Sequence, residues 1–124
     1  MAKVRLFYNK YYASSYIVHS AFHGDMNLEH CIKLIMDFET AFPDVKMVLE
    51  DMIAEGDKVT MRYSFQGTHK GSYGAIPPTG KQISVKDVEI FRIVGGKVVE
   101  AWDFPDALGL LTQLGAIPGA GAKK

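Results

Sequence analysis

The sequence predicts an α+β domain in which helices cover one face of a curved antiparallel sheet. Two observations support this prediction: helical periodicity occupies the chain before Val45, and four long runs of β-type residues follow it. Helices grouped before a run of strands are typical of α+β architecture. Strands of about ten residues can curl around a helix and leave a cavity, which is the default ligand site in this architecture.

Two amphipathic patterns predict helices before the sheet. In residues 3–12 the apolar positions lie three or four residues apart: Val4, Phe7, Tyr8 and Tyr11. In residues 27–41 a longer apolar stripe repeats with the same spacing, which is the period of one helix face. Asp25 or Asn27 can cap the start of this second helix, and Pro43 stops it.

Four β-type runs predict the strands of the sheet: 45–54, 58–68, 83–94 and 97–104. Gly56-Asp57 and Gly95-Gly96 lie between consecutive runs. Because glycine readily takes the positive φ of a hairpin turn, each of these pairs of runs is predicted to be antiparallel. The stretch Gly71–Gly80 contains Pro77-Pro78 and is too proline-rich for a central strand.

A short third helix and a tail complete the predicted domain. Four leucines and Ala107 in Asp106–Leu114 favour a helix that Gly115 ends. We expect one domain over residues 1–118. We expect a flexible tail over residues 119–124, which are rich in glycine and alanine.

Length and charge exclude several classes of protein. The chain has 124 residues with 14 Lys+Arg against 14 Asp+Glu, so it lacks the excess positive charge with which most nucleic-acid-binding proteins attract phosphate. Its apolar stretches are too short for a membrane span, and its N-terminus lacks the apolar region of a signal peptide. We therefore expect a cytoplasmic protein that binds neither nucleic acid nor membrane. A single cysteine, Cys31, suits a reducing compartment.

Three motifs that could bind phosphate or metal, or supply a nucleophile, are weak. Gly74–Lys81 has five residues between its glycines, and two of them are prolines, which lack the N–H groups of a phosphate-binding loop. His19 and His23 stand four residues apart, but no continuous helix is expected to carry both, so we predict no metal site. Cys31 lies on the apolar stripe of the second helix, which favours a buried thiol.

Two acidic residues inside apolar strands are the unusual feature of the sequence, Glu89 and Asp103. A plain two-residue turn at Gly95-Gly96 places Asp103 opposite Val88 and sends Glu89 to the other face of the sheet. A one-residue bulge instead brings Glu89 opposite Asp103, and we prefer this register. It gives the two acids a face whose other residues are apolar: Phe91, Ile93, Val99 and Ala101.

The setting of these carboxyls favours acid/base chemistry. A carboxyl in an apolar cavity resists ionisation, and a second carboxyl nearby strengthens the effect. We expect one of the two to have a pKa well above its ordinary value, which suits a general acid or base near neutral pH. A structural alternative stays open: Glu89 and Asp103 are solvated or paired with Arg62 or Arg92, or Asp103 caps the helix after Pro105.

Several short motifs follow one another along the chain: Ala41-Phe-Pro-Asp44, Glu50-Asp-Met-Ile-Ala-Glu-Gly-Asp57, Gly67-Thr-His-Lys-Gly71, Ile76-Pro-Pro-Thr-Gly80, Phe91-Arg-Ile-Val-Gly-Gly-Lys97, Glu100-Ala-Trp-Asp103 and Leu110-Leu-Thr-Gln-Leu-Gly115. In this order they resemble the SnoaL-like polyketide cyclase family, which belongs to the nuclear transport factor 2-like superfamily. The resemblance extends from about Tyr12 to Pro118. It is specific for fold and family rather than for substrate.

The resemblance implies a cone-shaped α+β barrel whose sheet wraps a helix and encloses an apolar pocket, usually in a homodimer. Cyclases of this family close a polyketide ring by intramolecular aldol condensation, without metal or cofactor. Their acid/base aspartate falls at Asp103, and an assisting histidine falls at Glu89. We expect six further residues to line the pocket: His19, Tyr63, Phe65, His69, Phe91 and Ala101.

The chain also departs from the family pattern. Glu89 replaces the assisting histidine, so that two carboxyls would share the site. Ala101 replaces another histidine, two residues before the aspartate. Family members usually begin with an additional helix that lids the cone. In this chain the 3–12 helix takes over part of that role, or the cone is more open, or a partner subunit covers it.

Together these features predict a cofactor-free enzyme of cyclase or isomerase type that acts on a small apolar, carbonyl-bearing ligand. Asp103 would serve as the acid/base and Glu89 would modulate it. The alternatives are a non-catalytic small-molecule-binding or scaffold domain of the same fold, and an epoxide hydrolase. A hydrolase would need several polar groups to hold a water molecule next to Asp103.

Overall fold

Three helices and one six-stranded sheet form the part of the chain that the structure, a computed structural model, describes: residues 2–117. In chain order they are α1 (Ala2–Tyr11), β1 (Tyr12–Ser20), β2 (Gly24–Asn27), α2 (Leu28–Ala41), β3 (Lys46–Glu55), β4 (Lys58–Thr68), β5 (Gln82–Val94), β6 (Lys97–Pro105) and α3 (Ala107–Gln113). The tail predicted over residues 119–124 lies outside the described residues. All the predicted helices and strands are confirmed, each end within one residue of its predicted position.

The helix ends are set by the side chains that sequence patterns favour there. At the start of α2, Asn27 Oδ1 accepts a hydrogen bond of 2.9 Å from the backbone N–H of His30. Of the two predicted caps, Asn27 is therefore the one that acts. At the start of α3, Asp106 Oδ1 accepts one of 2.9 Å from the backbone N–H of Gly109. The helix after Pro105 is thus capped by Asp106, which rules out that structural role for Asp103.

The sheet is mixed, and this corrects the prediction of an antiparallel sheet. Its strand order is β2-β1-β6-β5-β4-β3. Every neighbouring pair is antiparallel except β1 and β6, which run parallel. Neither β1 nor β2 is predicted from the sequence, so the parallel pair in the middle of the sheet is missed as well.

The hairpin of β5 and β6 has the bulged register that the sequence analysis prefers. Glu89 stands opposite Asp103, and Phe91 stands opposite Ala101. The register shifts after Arg92, which faces Glu100, because Ile93 faces Val98 and leaves Val99 as the extra residue. The bulge keeps both acids on one face of the sheet.

Two clusters of buried apolar residues occupy the concave face of the sheet. One joins β1, β2, α2, β5 and β6: Tyr16, Val18, Met26, Cys31, Phe91 and Ala101. The other joins the end of α2, the start of β5 and α3: Ala41, Phe42, Ile83, Val85, Leu110 and Leu114. Helix α2 therefore spans the concave face and contributes to both clusters.

The concave face is open along β3. All ten residues of this edge strand are exposed. Met47, Leu49 and Met52 stand opposite Phe65, Tyr63 and Met61, so they share the concave face with them. They are still 61, 49 and 57% exposed. Within the described residues, no helix is long and apolar enough to cross a membrane.

Candidate active site

Three carboxyls, Asp87, Glu89 and Asp103, come together on the concave face. Side chains two residues apart on a strand point to the same side, which places Asp87 and Glu89 together on β5. The register adds Asp103 from β6, opposite Glu89. It also adds Tyr63 from β4, opposite Asp87. Three neighbouring strands thus each contribute a polar side chain to one point of the interior.

The position of this acid cluster follows from the pattern of β5. The inward residues of that strand alternate with outward ones: Ile83, Val85, Asp87, Glu89 and Phe91. Ile83 and Val85 belong to one apolar cluster and Phe91 belongs to the other. Asp87 and Glu89 therefore lie between the two apolar clusters of the core, where water is largely excluded.

Tyr63 links the two acids of β5. Its Oη donates a hydrogen bond of 2.9 Å to Asp87 Oδ2, and it lies 3.3 Å from Glu89 Oε1. A hydroxyl has one proton to give, so Tyr63 donates to one of the two carboxyls at a time, and the shorter distance is the one to Asp87; it can accept from Glu89 when that carboxyl is protonated.

The side chains of Asp87 and Asp103 also interact, and the interaction affects the pKa of each. A hydrogen bond between them requires one of the two carboxyls to hold a proton, because ionised carboxylates only accept. Asp87 Oδ1 and Asp103 Oδ1 are buried and have no hydrogen-bond partner within the described part of the chain. A proton shared between the two carboxyls would satisfy both of these atoms.

Burial governs the ionisation of the cluster. It is the largest cause that raises the pKa of Asp103 to about 9, followed by the hydrogen bond with Asp87 and the charges of Glu89 and Asp87. Burial also raises the pKa of Glu89 to about 8, with a further contribution from the charge of Asp87, while the Tyr63 hydrogen bond opposes the rise. Near neutral pH both Asp103 and Glu89 therefore hold protons.

Asp87 is the member of the cluster that best tolerates a negative charge. Burial raises its pKa as well, but hydrogen bonds from Asp103, from Tyr63 and from the backbone at Val88 act in the opposite direction. Each of these donors stabilises a carboxylate more than a neutral acid. The shared proton accordingly resides on Asp103.

Aromatic hydroxyls and a thiol surround the acids. The rings of Tyr8, Tyr12 and Tyr16 form a chain in which successive centroids are 4.5 and 4.8 Å apart. Burial, together with the charge of Glu89 and other neighbours, raises the pKa of all three hydroxyls. Burial likewise raises the pKa of the Cys31 thiol to about 12, so the predicted buried thiol holds its proton.

The pairing of Glu89 or Asp103 with Arg62 or Arg92, which the structural alternative includes, does not occur. Arg62 pairs with Asp51 at 2.6 Å, and Arg92 pairs with Glu100 at 3.2 Å. Both pairs lie on the outer face of the sheet. No arginine within the described residues is thus bonded to Glu89 or Asp103.

Four of the six predicted pocket residues lie on the face that carries the acids. Phe91 and Ala101 stand opposite each other next to the Glu89 and Asp103 pair. Tyr63 bonds the acids directly, and Phe65 follows it on the same side of β4 and packs against the second apolar cluster.

His19 differs from the expectation for a pocket residue. Its neighbour Val18 is buried opposite Ala101, so alternation turns His19 to the outer face. There its Nδ1 lies 2.9 Å from Asp25 Oδ1 and its Nε2 lies 2.7 Å from Glu100 Oε2. Within the described residues, no group of three or more histidine, cysteine, aspartate or glutamate side chains is arranged to hold a metal ion.

His69 is fully buried at a different point of the core. Its ring stacks on Phe42 with centroids 5.2 Å apart. Its Nδ1 lies 2.9 Å from Thr79 Oγ1 and accepts the backbone N–H of Thr79 at 3.1 Å. These contacts hold the loop before β5 against the end of α2, and they do not join His69 to the acids.

Asp87 is a residue of the candidate site that is not predicted from the sequence. The signal was present, since Asp87 occupies an inward position in the alternation of β5, two residues before Glu89. The enclosed cavity expected at the acids stays a prediction. Two grooves of about 590 and 470 Å³ lie on the surface, and neither is lined by Asp87, Glu89 or Asp103.

Known cyclases share sequence similarity with this chain. A family model for the SnoaL-like polyketide cyclase matches residues 7–114. The aklanonic acid methyl ester cyclase DnrD of Streptomyces peucetius is 37% identical over 60 residues, which cover 48% of this chain and 41% of DnrD. The nogalonic acid methyl ester cyclase of Streptomyces nogalater is 43% identical over 49 residues, which cover 40% of this chain and 37% of that cyclase. The match spans less than half the length of either relative.

The fold also matches solved structures. AclR of Streptomyces galilaeus, a proposed hydroxylase, superimposes with a TM-score of 0.82 and 30% sequence identity. The superposition covers 94% of this chain and 78% of AclR. Proteins that resemble this chain therefore differ in the chemistry assigned to them.

Proposed function

The chain belongs to the SnoaL-like polyketide cyclase family, and we propose that it closes a ring in a small apolar, carbonyl-bearing substrate by intramolecular aldol chemistry without a cofactor. Asp103 is the acid/base residue and Glu89 modulates it. The observation that carries the proposal is the Asp103 carboxyl on the concave face, opposite Glu89, where burial raises its pKa to about 9 so that it keeps its proton at neutral pH. The names of DnrD and of the nogalonic acid methyl ester cyclase support ring closure as the reaction.

An aldol closure moves two protons and makes one carbon–carbon bond. A carbon next to one carbonyl loses a proton, and its electron pair attacks a second carbonyl carbon. The oxygen of that second carbonyl then gains a proton, so the reaction consumes none overall. Asp103 takes the first proton and gives the second. General acid/base assistance of this kind contributes roughly 10²- to 10⁴-fold in rate.

Glu89 acts on this chemistry through its proton and its charge. With a pKa of about 8 it is neutral at pH 7, so it donates a hydrogen bond to a substrate oxygen or to Tyr63. When it ionises, its charge raises the pKa of Asp103 further. A neutral glutamic acid in the position of a histidine therefore supplies a donor without supplying a positive charge.

The surroundings of the acids fit an apolar substrate. Phe91, Ala101 and Met61 lie beside them on the concave face, and exclusion of water strengthens every polar interaction there. Along β3 the same face is uncovered at Met47 and Leu49. We propose that the substrate enters on this side, between β3 and the helices.

Asp103→Asn tests the proposal. Asparagine keeps the shape of the side chain but can neither take nor give the proton. The probes are aklanonic acid methyl ester and nogalonic acid methyl ester, the compounds in the names of the two relatives, with the cyclised product followed by mass spectrometry. We expect kcat to fall by about 100-fold or more, with the melting temperature no lower than that of the unchanged protein and the Kd for the probe retained. The exposed Asp51→Asn is the matched control.

Each outcome of this test is informative. Turnover that survives Asp103→Asn would remove Asp103 from the mechanism. Tight binding of a probe that the unchanged protein never converts would replace the enzyme by a small-molecule-binding domain of the same fold. Hydration of an epoxide analogue, without ring closure of either ester, would favour the epoxide hydrolase.

We also propose that the protein is a homodimer that works in the cytoplasm. The outer face of the sheet supports the dimer, because apolar side chains are exposed on it. Ile53 is 68% exposed, Phe104 52% and Val88 36%. Scattered exposed apolar residues are common on monomers, but a group of them on one sheet face is typical of an interaction surface.

A further inference from the structure

Asp87 is the central member of the acid cluster. It is the most buried of the three acids, with 5% of its surface exposed. Its side-chain interaction with Asp103 affects its pKa, it accepts the Tyr63 hydroxyl at 2.9 Å, and its charge acts on Glu89. The proposed function assigns it no role, although burying a carboxylate costs free energy unless the group is paired and hydrogen-bonded.

A carboxyl that is already protonated cannot take a second proton unless its own proton leaves. This is the difficulty for Asp103 as a base, since it holds a proton near neutral pH. Asp87 Oδ1, which is buried on the same face and, like Asp103 Oδ1, has no hydrogen-bond partner within the described residues, offers a place for that proton. Tyr63 and the backbone at Val88 favour the ionised form of Asp87, and a carboxyl must be ionised before it can receive that proton.

We propose that Asp87 is a positioning residue that stores the proton of Asp103 during each turnover. As Asp103 Oδ2 takes the proton of the substrate carbon, the proton on Asp103 Oδ1 passes to Asp87 Oδ1. The electron pair of the broken C–H bond forms the new carbon–carbon bond. Asp103 Oδ2 then gives its proton to the product oxygen, and Asp87 returns the stored proton to Asp103 Oδ1. Protons balance, and both acids end as they began.

The other titratable groups around the pair leave room for this exchange. They come from every element that packs against it: Tyr63 on β4, Glu89 on β5, Cys31 on α2, Tyr8 on α1, and Tyr12 and Tyr16 on β1. The tyrosines and the cysteine have raised pKa values, as Glu89 does, so all of them are neutral at pH 7. The negative charge of the cluster is therefore confined to Asp87 and Asp103.

This inference rests on the proposed function for its catalytic consequence, but its test needs no substrate. The measurement is the titration of the side-chain carboxyl carbons by NMR in the full chain. In Asp87→Asn we expect the midpoint of Asp103 to fall by about one pH unit or more, a tenfold change in its proton dissociation constant. Asp87→Glu should keep the Asp103 midpoint close to that of the unchanged protein, and the exposed Asp51→Asn should leave the Asp103 midpoint where it is.

Tyr63→Phe provides a second variant that keeps both acids and nearly all of the packing. Loss of the hydroxyl makes Asp87 a stronger base. We therefore expect the Asp87 signal to change more, and the Asp103 signal less, through the titration near pH 9. If Asp87→Asn does not fold, this variant decides the question.

The outcomes separate the two proposals. An Asp103 midpoint that Asp87→Asn leaves in place, or an unchanged sharing of the proton in Tyr63→Phe, would overturn the storage role even if Asp103→Asn abolishes turnover. If the titrations behave as expected and turnover follows, the pH profile of kcat should move with the Asp103 midpoint in Asp87→Asn. A merely structural Asp87 would alter the melting temperature and leave that profile alone.

Discussion

Glu89→Gln should stabilise the protein, and increasingly so as the pH rises. In the unfolded chain Glu89 ionises near its ordinary pKa of 4.5, whereas in the folded chain burial holds the proton until about pH 8. Between these values the folded state binds more protons than the unfolded state, so the free energy of unfolding falls as the pH rises. Glutamine keeps the size of the side chain and does not titrate, so it escapes this loss.

The size of the effect follows from the interval between the two pKa values. Each pH unit of retained protonation changes the unfolding equilibrium tenfold, and the interval from 4.5 to about 8 spans about 3.5 units. Independent titration of Glu89 would therefore cost on the order of 5 kcal/mol, which rivals the whole stability of a typical small domain. Because the titration of Glu89 is coupled to the charges of Asp87 and Asp103, we expect only part of this free-energy cost, roughly 2 kcal/mol at pH 8.

Urea unfolding at a series of pH values measures the difference. We expect Glu89→Gln and the unchanged protein to have similar midpoints at pH 5, to diverge up to about pH 8, and to keep a constant gap above it. Glu55→Gln, at an exposed glutamate on β3, is the matched control and should show no such divergence. A gap between Glu89→Gln and the unchanged protein that is the same at pH 5 and pH 9 would refute the reasoning.

Two further predictions concern the outer face of the sheet. His19 bonds Asp25 and Glu100, and these hydrogen bonds raise its pKa. Its stabilising effect is therefore complete below pH 6.5 and is lost as the pH rises through the raised pKa. His19→Gln should lower the melting temperature, measured by calorimetry, more at pH 6 than at pH 9. Phe104→Asp should convert the proposed homodimer into a monomer in sedimentation experiments, and a monomeric unchanged protein would refute that dimer.

The fold was largely predictable because its signals are local. Amphipathic spacing, helix caps and glycine turns act within a few residues, and they locate every helix and four of the six strands. Strand β1 escapes because only Tyr16 and Val18 are buried apolar side chains in its alternating stretch, next to a polar Ser20 that is also buried. Its partner is the parallel strand β6, far along the chain, and no local pattern reports such a pairing.

The site was only partly predictable for a similar reason. Glu89 and Asp103 are identifiable because a hairpin register is a local property, which one bulge decides. Asp87 lies in the same alternation, but it follows Lys86 and comes before the most apolar part of β5, so it resembles the polar start of a strand. The outward turn of His19 depends on the register of β1 against β6, which the sequence pattern does not determine.

Glu89→Gln should move stability and turnover in opposite directions. Replacing buried charged groups by neutral ones of similar shape is often neutral or stabilising, so three acids between two apolar clusters are a cost that a purely structural face would not need. Sites that bind and convert ligands commonly accept such a cost. A Glu89→Gln protein that is both more stable and fully active on the cyclase esters would show that Glu89 is dispensable for the chemistry. A more stable and slower protein would tie the cost of this carboxyl directly to function.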